Sequence, residues 1–180
     1  MMMSPPSNSL LPQHPMPMPP VYQMQMPSPL GEILLAANRT GLAGVWFVDG
    51  QAHMPDSSPW LSNDQHPILL ATAEQLTDYF NGQRHAFDLN LASLWGTPFQ
   101  RQVWQALTQI PYGQTTSYGQ IAQAIGNPKA VRAVGAAIGQ NPHSIVVPCH
   151  RVLGVNGALT GFAGGLHRKQ HLLQHEATHT

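Results

Sequence analysis

The most reactive side chain in the sequence is its single cysteine, Cys149, which lies in the run Pro148-Cys149-His150-Arg151. A thiol becomes a strong nucleophile once it ionises, and neighbouring histidine and arginine side chains lower its pKa from about 8.5. Glu176 is the only carboxylate in the C-terminal half of the chain, so it is the candidate to orient the His150 imidazole. The sequence therefore predicts a nucleophilic site of Cys149, His150 and Glu176. Because adjacent side chains usually point apart, Cys149 and His150 would meet through a water molecule or a local bend.

Having one cysteine excludes a disulfide within the chain and a thiolate-rich zinc site. The plainest alternative is that Cys149 is only a small buried core residue. The run His175-Glu176-Ala177-Thr178-His179 also fits the His-Glu-x-x-His pattern of zinc proteases, and it belongs to a histidine repeat formed by His167, His171, His175 and His179. We expect no metal and no other cofactor, because this pattern falls where the final helix frays and no third ligand follows it.

The elements that must position Cys149 form a C-terminal unit over residues 96–180. Helical spacing, capping residues and breaks predict helices over 98–110, 118–125, 127–138 and a last stretch ending near 176. The second and third of these form a helix-turn-helix, a unit that often docks on DNA. The apolar run 144–147 predicts a buried strand that ends just before Cys149.

The third predicted helix has two different faces. Val131, Val134 and Ile138 share one face and are expected to be buried. The other face presents small and basic side chains, which are Lys129, Arg132, Ala133 and Ala136. Such a face lets a helix come close to a phosphate backbone, although an ordinary surface helix explains it equally well.

The N-terminal half has a different organisation. Residues 1–20 are rich in proline and methionine and predict a disordered tail. Residues 21–93 predict a small α+β domain, with strands over 21–26, 31–37, 42–48 and 87–91 and a helix over 68–80.

Charge is distributed unevenly although the net charge is zero. Residues 1–95 hold two basic and seven acidic side chains, whereas residues 96–180 hold six basic side chains and one acidic side chain. A basic half suggests contact with a polyanion. The sequence has no run of the ~18–20 apolar residues that span a membrane and no secretory signal, so we expect a cytoplasmic protein.

The motifs around Cys149 resemble those of the O(6)-alkylguanine-DNA alkyltransferases, especially the bacterial members. The signature Pro148-Cys149-His150-Arg151-Val152 is accompanied by further matching runs in the same order over residues 96–177. These runs are Gly96-Thr97-Pro98-Phe99-Gln100, Ile110-Pro111-Tyr112-Gly113, Ser117-Tyr118-Gly119-Gln120, Gly126-Asn127-Pro128-Lys129-Ala130-Val131-Arg132-Ala133-Val134-Gly135 and Gly161-Phe162-Ala163-Gly164-Gly165.

The resemblance implies an α+β fold in which a small ribonuclease-H-like domain precedes a mostly helical, winged-helix-like domain. It implies a monomer that binds the minor groove of double-stranded DNA, flips out an alkylated guanine and moves the alkyl group irreversibly to Cys149, without metal or cofactor. Arg132 would fill the gap left in the base stack, and Tyr118 and Lys169 would assist the leaving guanine. Further DNA contacts are expected from Lys129, Ala133, Ala136 and Arg151, and pocket residues are expected at Pro148, Asn141, Phe162, Ala163 and Gly164.

In three respects the sequence departs from the pattern of this family. Phe162 stands where a tyrosine is more usual, and Gln170-His171 replaces a commoner acidic-aromatic pair. The N-terminal zinc site of some members needs cysteines that this chain lacks.

Two other functions fit parts of the pattern. A cysteine hydrolase would use Cys149, His150 and Glu176, but it would leave Arg132 and the helix-turn-helix without a role. A non-catalytic protein that only flags alkylated guanine would not need Cys149, because relatives of that kind lack the acceptor cysteine.

Overall fold

The computed structural model describes residues 17–180, and its N-terminal part is a sheet covered by one helix. The strands are β1 (Tyr22–Met26), β2 (Ile33–Ala37), β3 (Leu42–Phe47) and β4 (Leu61–Ser62), and the helix is α1 (Pro67–Phe80). The order across the sheet is β3-β2-β1-β4, antiparallel except that β4 runs parallel to β1. Three of these strands and α1 agree with the sequence-based prediction, whereas β4 was not predicted.

Strands β2 and β3 are buried on both faces. One face, with Ile33, Leu35 and Val45, packs in a core with Leu69 and Leu76 of α1. The other face carries Leu34, Ala36 and Trp46, and the rings of Trp60 and Trp95 lie against Trp46 at centroid distances of 5.6 and 5.5 Å. This double burial explains why both strands are nearly continuous apolar runs rather than alternating ones.

Two N-terminal expectations have different outcomes. Residues 87–91 do not form the predicted strand, because their pairing with the sheet is limited to a single bridge between Leu42 and Leu91. Residues 1–16 of the expected disordered tail lie outside the described residues, and residues 17–20 are exposed and belong to no helix or strand.

The C-terminal part is mainly helical and contains α2 (Pro98–Leu107), α3 (Tyr118–Ala124), α4 (Val131–Gly139) and α5 (Leu166–Thr178). Capping boxes begin α2 at Thr97 and Gln100 and α3 at Ser117 and Gln120. Helices α2, α3 and α4 enclose a core that contains Val103, Leu107, Ile121, Val134 and Ile138. A sheet followed by a helical unit confirms the predicted α+β class.

Helix α4 begins later than the sequence suggested. Gly126, at φ +76°, closes α3, and the Asn127 amide donates to the Ala122 carbonyl, so Asn127 belongs to the end of α3. Val131 is therefore the first residue of α4 and is 41% exposed, which makes the expectation that it is buried wrong.

The segment before Cys149 is buried but is not a strand. The Asn141 side chain accepts a hydrogen bond from the His143 amide and donates to the Val147 carbonyl, at 3.0 and 2.9 Å. These side-chain bonds replace a strand ladder and fold the segment into turns, with Ile145 at φ +71°. Residues Cys149–Arg151 then form one turn of 3₁₀ helix, which leads into β6 (Val152–Leu153); β6 pairs in parallel with β5 (Thr116–Ser117).

Among residues 17–180, none of the helices combines the length and the apolar composition that a bilayer crossing requires.

Candidate active site

Cys149 is buried, with 4% of its surface exposed. It belongs to the apolar cluster that also contains Ile138 of α4, Val147 and the ring of Tyr118. Burial raises the pKa of the Cys149 thiol above its usual value, and the Asn141 amide and the Lys169 charge oppose that effect. The expectation of a lowered thiol pKa is therefore wrong for this state of the site.

His150 lies in the same 3₁₀ turn as Cys149 but faces Glu176 of α5. Its Nε2 donates to the Glu176 Oε1 atom at 2.7 Å, and both side chains are buried. Burial lowers the pKa of His150, although the Glu176 carboxylate acts to raise it. Because Nε2 carries the proton in this hydrogen bond, the neutral imidazole leaves Nδ1 as an acceptor. Nδ1 is buried and has no hydrogen-bond partner among the described residues.

Arg151 points inward, toward the same carboxylate. Its Nε and one terminal nitrogen donate to the two Glu176 oxygens at 2.8 and 2.9 Å, and the other terminal nitrogen donates to the Ile110 carbonyl at 2.6 Å. Arg151 is only 6% exposed, so the expectation that it contacts DNA is wrong. The 3₁₀ turn directs its third residue, Arg151, toward the interior, where it neutralises Glu176.

Glu176 also receives hydrogen bonds from outside the expected site. The Tyr79 hydroxyl of α1 donates to Oε1 at 2.9 Å, and the Gly113 amide donates to Oε2 at 3.3 Å. Burial opposes ionisation of Glu176, but hydrogen bonds from His150 and Arg151 outweigh burial and hold its pKa below the usual range. Sequence reasoning missed Tyr79, because its position in α1 reads as part of an ordinary apolar stripe.

Lys169 closes a second buried network beside the thiol. Its ammonium donates to the carbonyls of Val152, Thr160 and Gly161 at 2.6, 2.7 and 3.1 Å. Burial lowers its pKa to about 8. The Tyr118 hydroxyl donates to the same Thr160 carbonyl at 3.0 Å. Tyr118 and Lys169 are thus brought together, and both hold the loop between β6 and α5.

A cavity of about 230 Å³ opens beside this loop. Its lining includes Tyr118, Ile138, Gly161, Phe162 and Ala163. Three of these, Tyr118, Ile138 and Phe162, belong to the same apolar cluster as Cys149, so the cavity wall and the buried thiol share one core.

Only two of the five expected pocket residues, Phe162 and Ala163, line this cavity. Asn141 does not line it and instead shapes the turn before Cys149 through its hydrogen bonds with His143 and Val147. Pro148 lines a different cavity, of about 310 Å³. Gly164 is buried. A Cβ at this position would lie 2.9 Å from the rings of Phe162 and Phe47, so glycine permits close packing of the loop.

The outer face of α4 remains open to solvent. Lys129, Arg132, Ala133 and Ala136 are all exposed, and neither basic side chain pairs with an acid within residues 17–180. Its N-cap residue, Ala130, makes no side-chain hydrogen bond, so no side chain of this residue caps the first amide groups of α4. Lys129 lies in the turn before α4 rather than within the helix.

The His-Glu-x-x-His run is occupied by other interactions. His175 Nε2 donates to the Tyr79 carbonyl at 2.7 Å and His179 Nδ1 donates to the His175 carbonyl at 2.7 Å, while Glu176 pairs with His150 and Arg151. In the part of the chain that the structure describes, no three histidine, cysteine or acidic residues are grouped so that they could hold a metal ion.

Fold and site together define a class: a protein with one buried thiol in the core that also forms a cavity wall, next to a helix-turn-helix. Comparison with known families gives the particular one. Residues 21–93 match the model described as "6-O-methylguanine DNA methyltransferase, ribonuclease-like domain", and residues 98–178 match its "DNA binding domain". The chain therefore belongs to the 6-O-methylguanine DNA methyltransferase family.

Individual members of this family are similar to the chain over most of its length. It is 47% identical to the methylated-DNA–protein-cysteine methyltransferase of Methanosarcina acetivorans, covering 88% of this chain and 99% of the relative. It is 49% identical to the protein of that name from Mycolicibacterium paratuberculosis, covering 85% and 90%. The crystal structure of Mycobacterium tuberculosis OGT in complex with DNA superimposes with a TM-score of 0.81 at 42% identity, covering 88% and 94%.

Proposed function

We propose that this protein repairs DNA by moving an alkyl group from the 6-oxygen of guanine to Cys149, once per protein molecule. The observation that carries the proposal is that the buried thiol shares a core with the wall of a cavity of about 230 Å³, next to an exposed helix face that carries Arg132. A base inside a duplex cannot reach a buried thiol, so the damaged guanine must leave the stack and enter the cavity.

Arg132 and its neighbours on α4 form the DNA contact of this proposal. Ala133 and Ala136 keep the helix surface low, so that α4 fits a minor groove. Lys129 and the uncapped start of α4 lie where phosphates would pass. Arg132, free of acidic partners within residues 17–180, fills the space that the flipped guanine leaves.

His150 acts as the base that ionises the thiol. Because burial keeps the Cys149 thiol protonated at rest, its proton must be removed when the substrate is in place. The free Nδ1 of His150 takes this proton through one water molecule, and the ionised Glu176 stabilises the imidazolium that results. Arg151 keeps Glu176 ionised and fixes its orientation.

The transfer itself exchanges one bond for another. The Cys149 sulfur bonds to the alkyl carbon while the bond from that carbon to the guanine 6-oxygen breaks, and the electron pair remains on guanine. The Tyr118 hydroxyl, after turning from the Thr160 carbonyl to the bound base, and the Ala163 amide donate hydrogen bonds to the guanine anion, and donors aimed at developing charge lower the barrier. Lys169, with a pKa of about 8, adds positive charge nearby. The product thioether cannot return to a thiolate.

Mass spectrometry after mixing the protein with methylguanine-containing DNA tests the proposal. We expect one added methyl group on the peptide that contains Cys149, in one equivalent per protein, and none in Cys149→Ala. Cys149→Ala should still bind the DNA, which separates chemistry from recognition. Continued turnover with an unmodified sulfur would favour a hydrolase, and tight binding with intact lesions would favour a protein that only flags damage.

The same proposal has a structural and a cellular part. Residues 21–93 and 96–180 form two domains, of which the second carries the acceptor thiol, and the protein acts as a monomer in the cytoplasm. Limited proteolysis tests the domain limits, and cleavage is expected between residues 93 and 96. Sedimentation at equilibrium tests the oligomeric state, and the mass of a monomer is expected.

A further inference from the structure

The loop after β3, residues 49–53, reaches from the N-terminal sheet to the cavity beside Cys149. Its last residue, His53, lines the cavity together with Tyr118, Phe162 and Ala163. His53 and Tyr118 are the two cavity-lining side chains that carry hydrogen-bonding groups. Since His53 is exposed, it stands at the open side of the cavity.

Three contacts with the C-terminal part hold this loop. Arg168 of α5 donates to the Asp49 carbonyl at 2.9 Å and pairs with its carboxylate at 2.6 Å. The side-chain amide of Gln51 donates to the Ser144 hydroxyl at 3.1 Å. The Ala52 amide donates to the Ala163 carbonyl at 2.9 Å, which joins the loop directly to the cavity wall.

The backbone of His53 is strained. Its φ is +60°, in the left-handed region that a residue other than glycine rarely adopts. Such a conformation costs of order 1–3 kcal/mol and persists only where the surroundings impose it. The contacts at Asp49, Gln51 and Ala52 supply that constraint, and the result is an imidazole facing the cavity.

We propose that His53 contacts the extrahelical base, so that the N-terminal domain contributes a substrate-binding residue to the cavity. This inference rests on the proposed function. An imidazole can stack on a purine, and its ring nitrogens can hydrogen-bond to a base edge. Phe162 then forms an apolar wall of the cavity, and His53 recognises the purine at the open side.

The test compares alkyl transfer from two substrates, duplex DNA with methylguanine and the free base benzylguanine. In His53→Gly, which removes the side chain and relieves the strained φ, both rates should fall about three- to tenfold, the worth of one lost hydrogen bond. His171→Ala, an exposed histidine on α5, is the control and should keep both rates. Equal rates in His53→Gly and the unsubstituted protein would overturn the proposal, as would a loss confined to duplex DNA, which would place His53 on the DNA backbone.

A second variant separates the contact from the strain. His53→Ala keeps the unfavourable φ, so its melting temperature should lie below that of His53→Gly while both variants lose the same rate. Rates that follow the melting temperatures instead would show that His53 acts only through folding and would overturn the proposal. Failure of the unsubstituted protein to accept any methyl group would refute the proposed function itself, and the same experiment records that outcome separately.

Discussion

Arg151 and Arg132 show how differently two arginines of one domain are used. Arg151 follows Cys149 in the 3₁₀ turn, is 6% exposed and gives two hydrogen bonds to Glu176. Arg132 lies in the first turn of α4, is exposed and contacts no acid within residues 17–180. The Arg151 guanidinium is held by buried partners, whereas the Arg132 guanidinium is available to bind a ligand.

This difference assigns the two regions separate tasks. The 3₁₀ turn and α5 form a closed network in which the charges of Arg151 and Glu176 neutralise each other, so we expect this network to stabilise the fold. The side chains on the outer face of α4 are exposed. We therefore expect this face to contribute little to stability and to be available for contact with DNA. The comparison therefore predicts that damage to the first region is seen in folding and damage to the second in repair.

Substitution of Arg151 should give the largest effect on stability. Arg151→Met removes one partner of a buried ion pair and leaves the Glu176 charge undercompensated, which costs about 3–5 kcal/mol. Denaturant unfolding measures this free energy. If Arg151→Met unfolds like the unsubstituted protein, the closed network does not stabilise the fold, and the contrast with Arg132 is lost.

Low pH should also reduce the stability of the interior, through the buried side chain of His143. Burial lowers the pKa of His143, whose Nε2 donates to the Leu42 carbonyl, to about 4. Above an unfolded pKa near 6.5 the neutral His143 contributes its full stability. As pH falls from 6.5 toward 4 the unfolded chain binds the proton first, and on the order of 3 kcal/mol is lost.

The matched variant for this measurement is His143→Gln, which keeps a donor but cannot titrate. Its unfolding free energy should fall less steeply between pH 6.5 and 4 than that of the unsubstituted protein. His150, whose pKa burial also lowers, contributes the same slope to both proteins and cancels. Parallel slopes would contradict the assignment of this pH dependence to His143.

Substitution of Arg132 should leave stability nearly unchanged. Arg132→Ala is expected to shift the unfolding free energy by no more than about 0.5 kcal/mol. Repair of methylguanine in duplex DNA should drop on the order of tenfold, because keeping a base out of the stack costs a few kcal/mol. Free benzylguanine should still alkylate Cys149 at the original rate. An equal loss on both substrates would argue against base flipping by Arg132.

The sequence predicted those parts of the structure that depend on neighbouring residues. The capping boxes at Thr97 and Ser117 specify where α2 and α3 begin, and the apolar runs of β2 and β3 mark the central strands. Glu176 was found as a partner for His150 because the C-terminal half offers no other carboxylate, and the structure places the two within 2.7 Å.

The remaining errors arise where a distant contact decides the outcome. A basic residue after Cys149 reads as a DNA contact until the direction of the 3₁₀ turn is known, and Arg151 proves to be internal. The segment 144–147 looks like a strand, but the Asn141 side chain, which accepts from the His143 amide and donates to the Val147 carbonyl, folds it into turns. Tyr79 and His53 reach the site only through tertiary structure, since both lie far from Cys149 in sequence.

The hydrogen bond from Tyr79 to Glu176 has a practical consequence for protein engineering. A shortened protein that began at residue 96 would retain every residue from the thiol to the acid, yet it would lose a hydroxyl donor supplied by α1. Such a shortened protein would need a substitute donor beside α5. Transplanting the C-terminal half onto another scaffold therefore means replacing this donor as well as the apolar surface that covers Ile145 and Leu172.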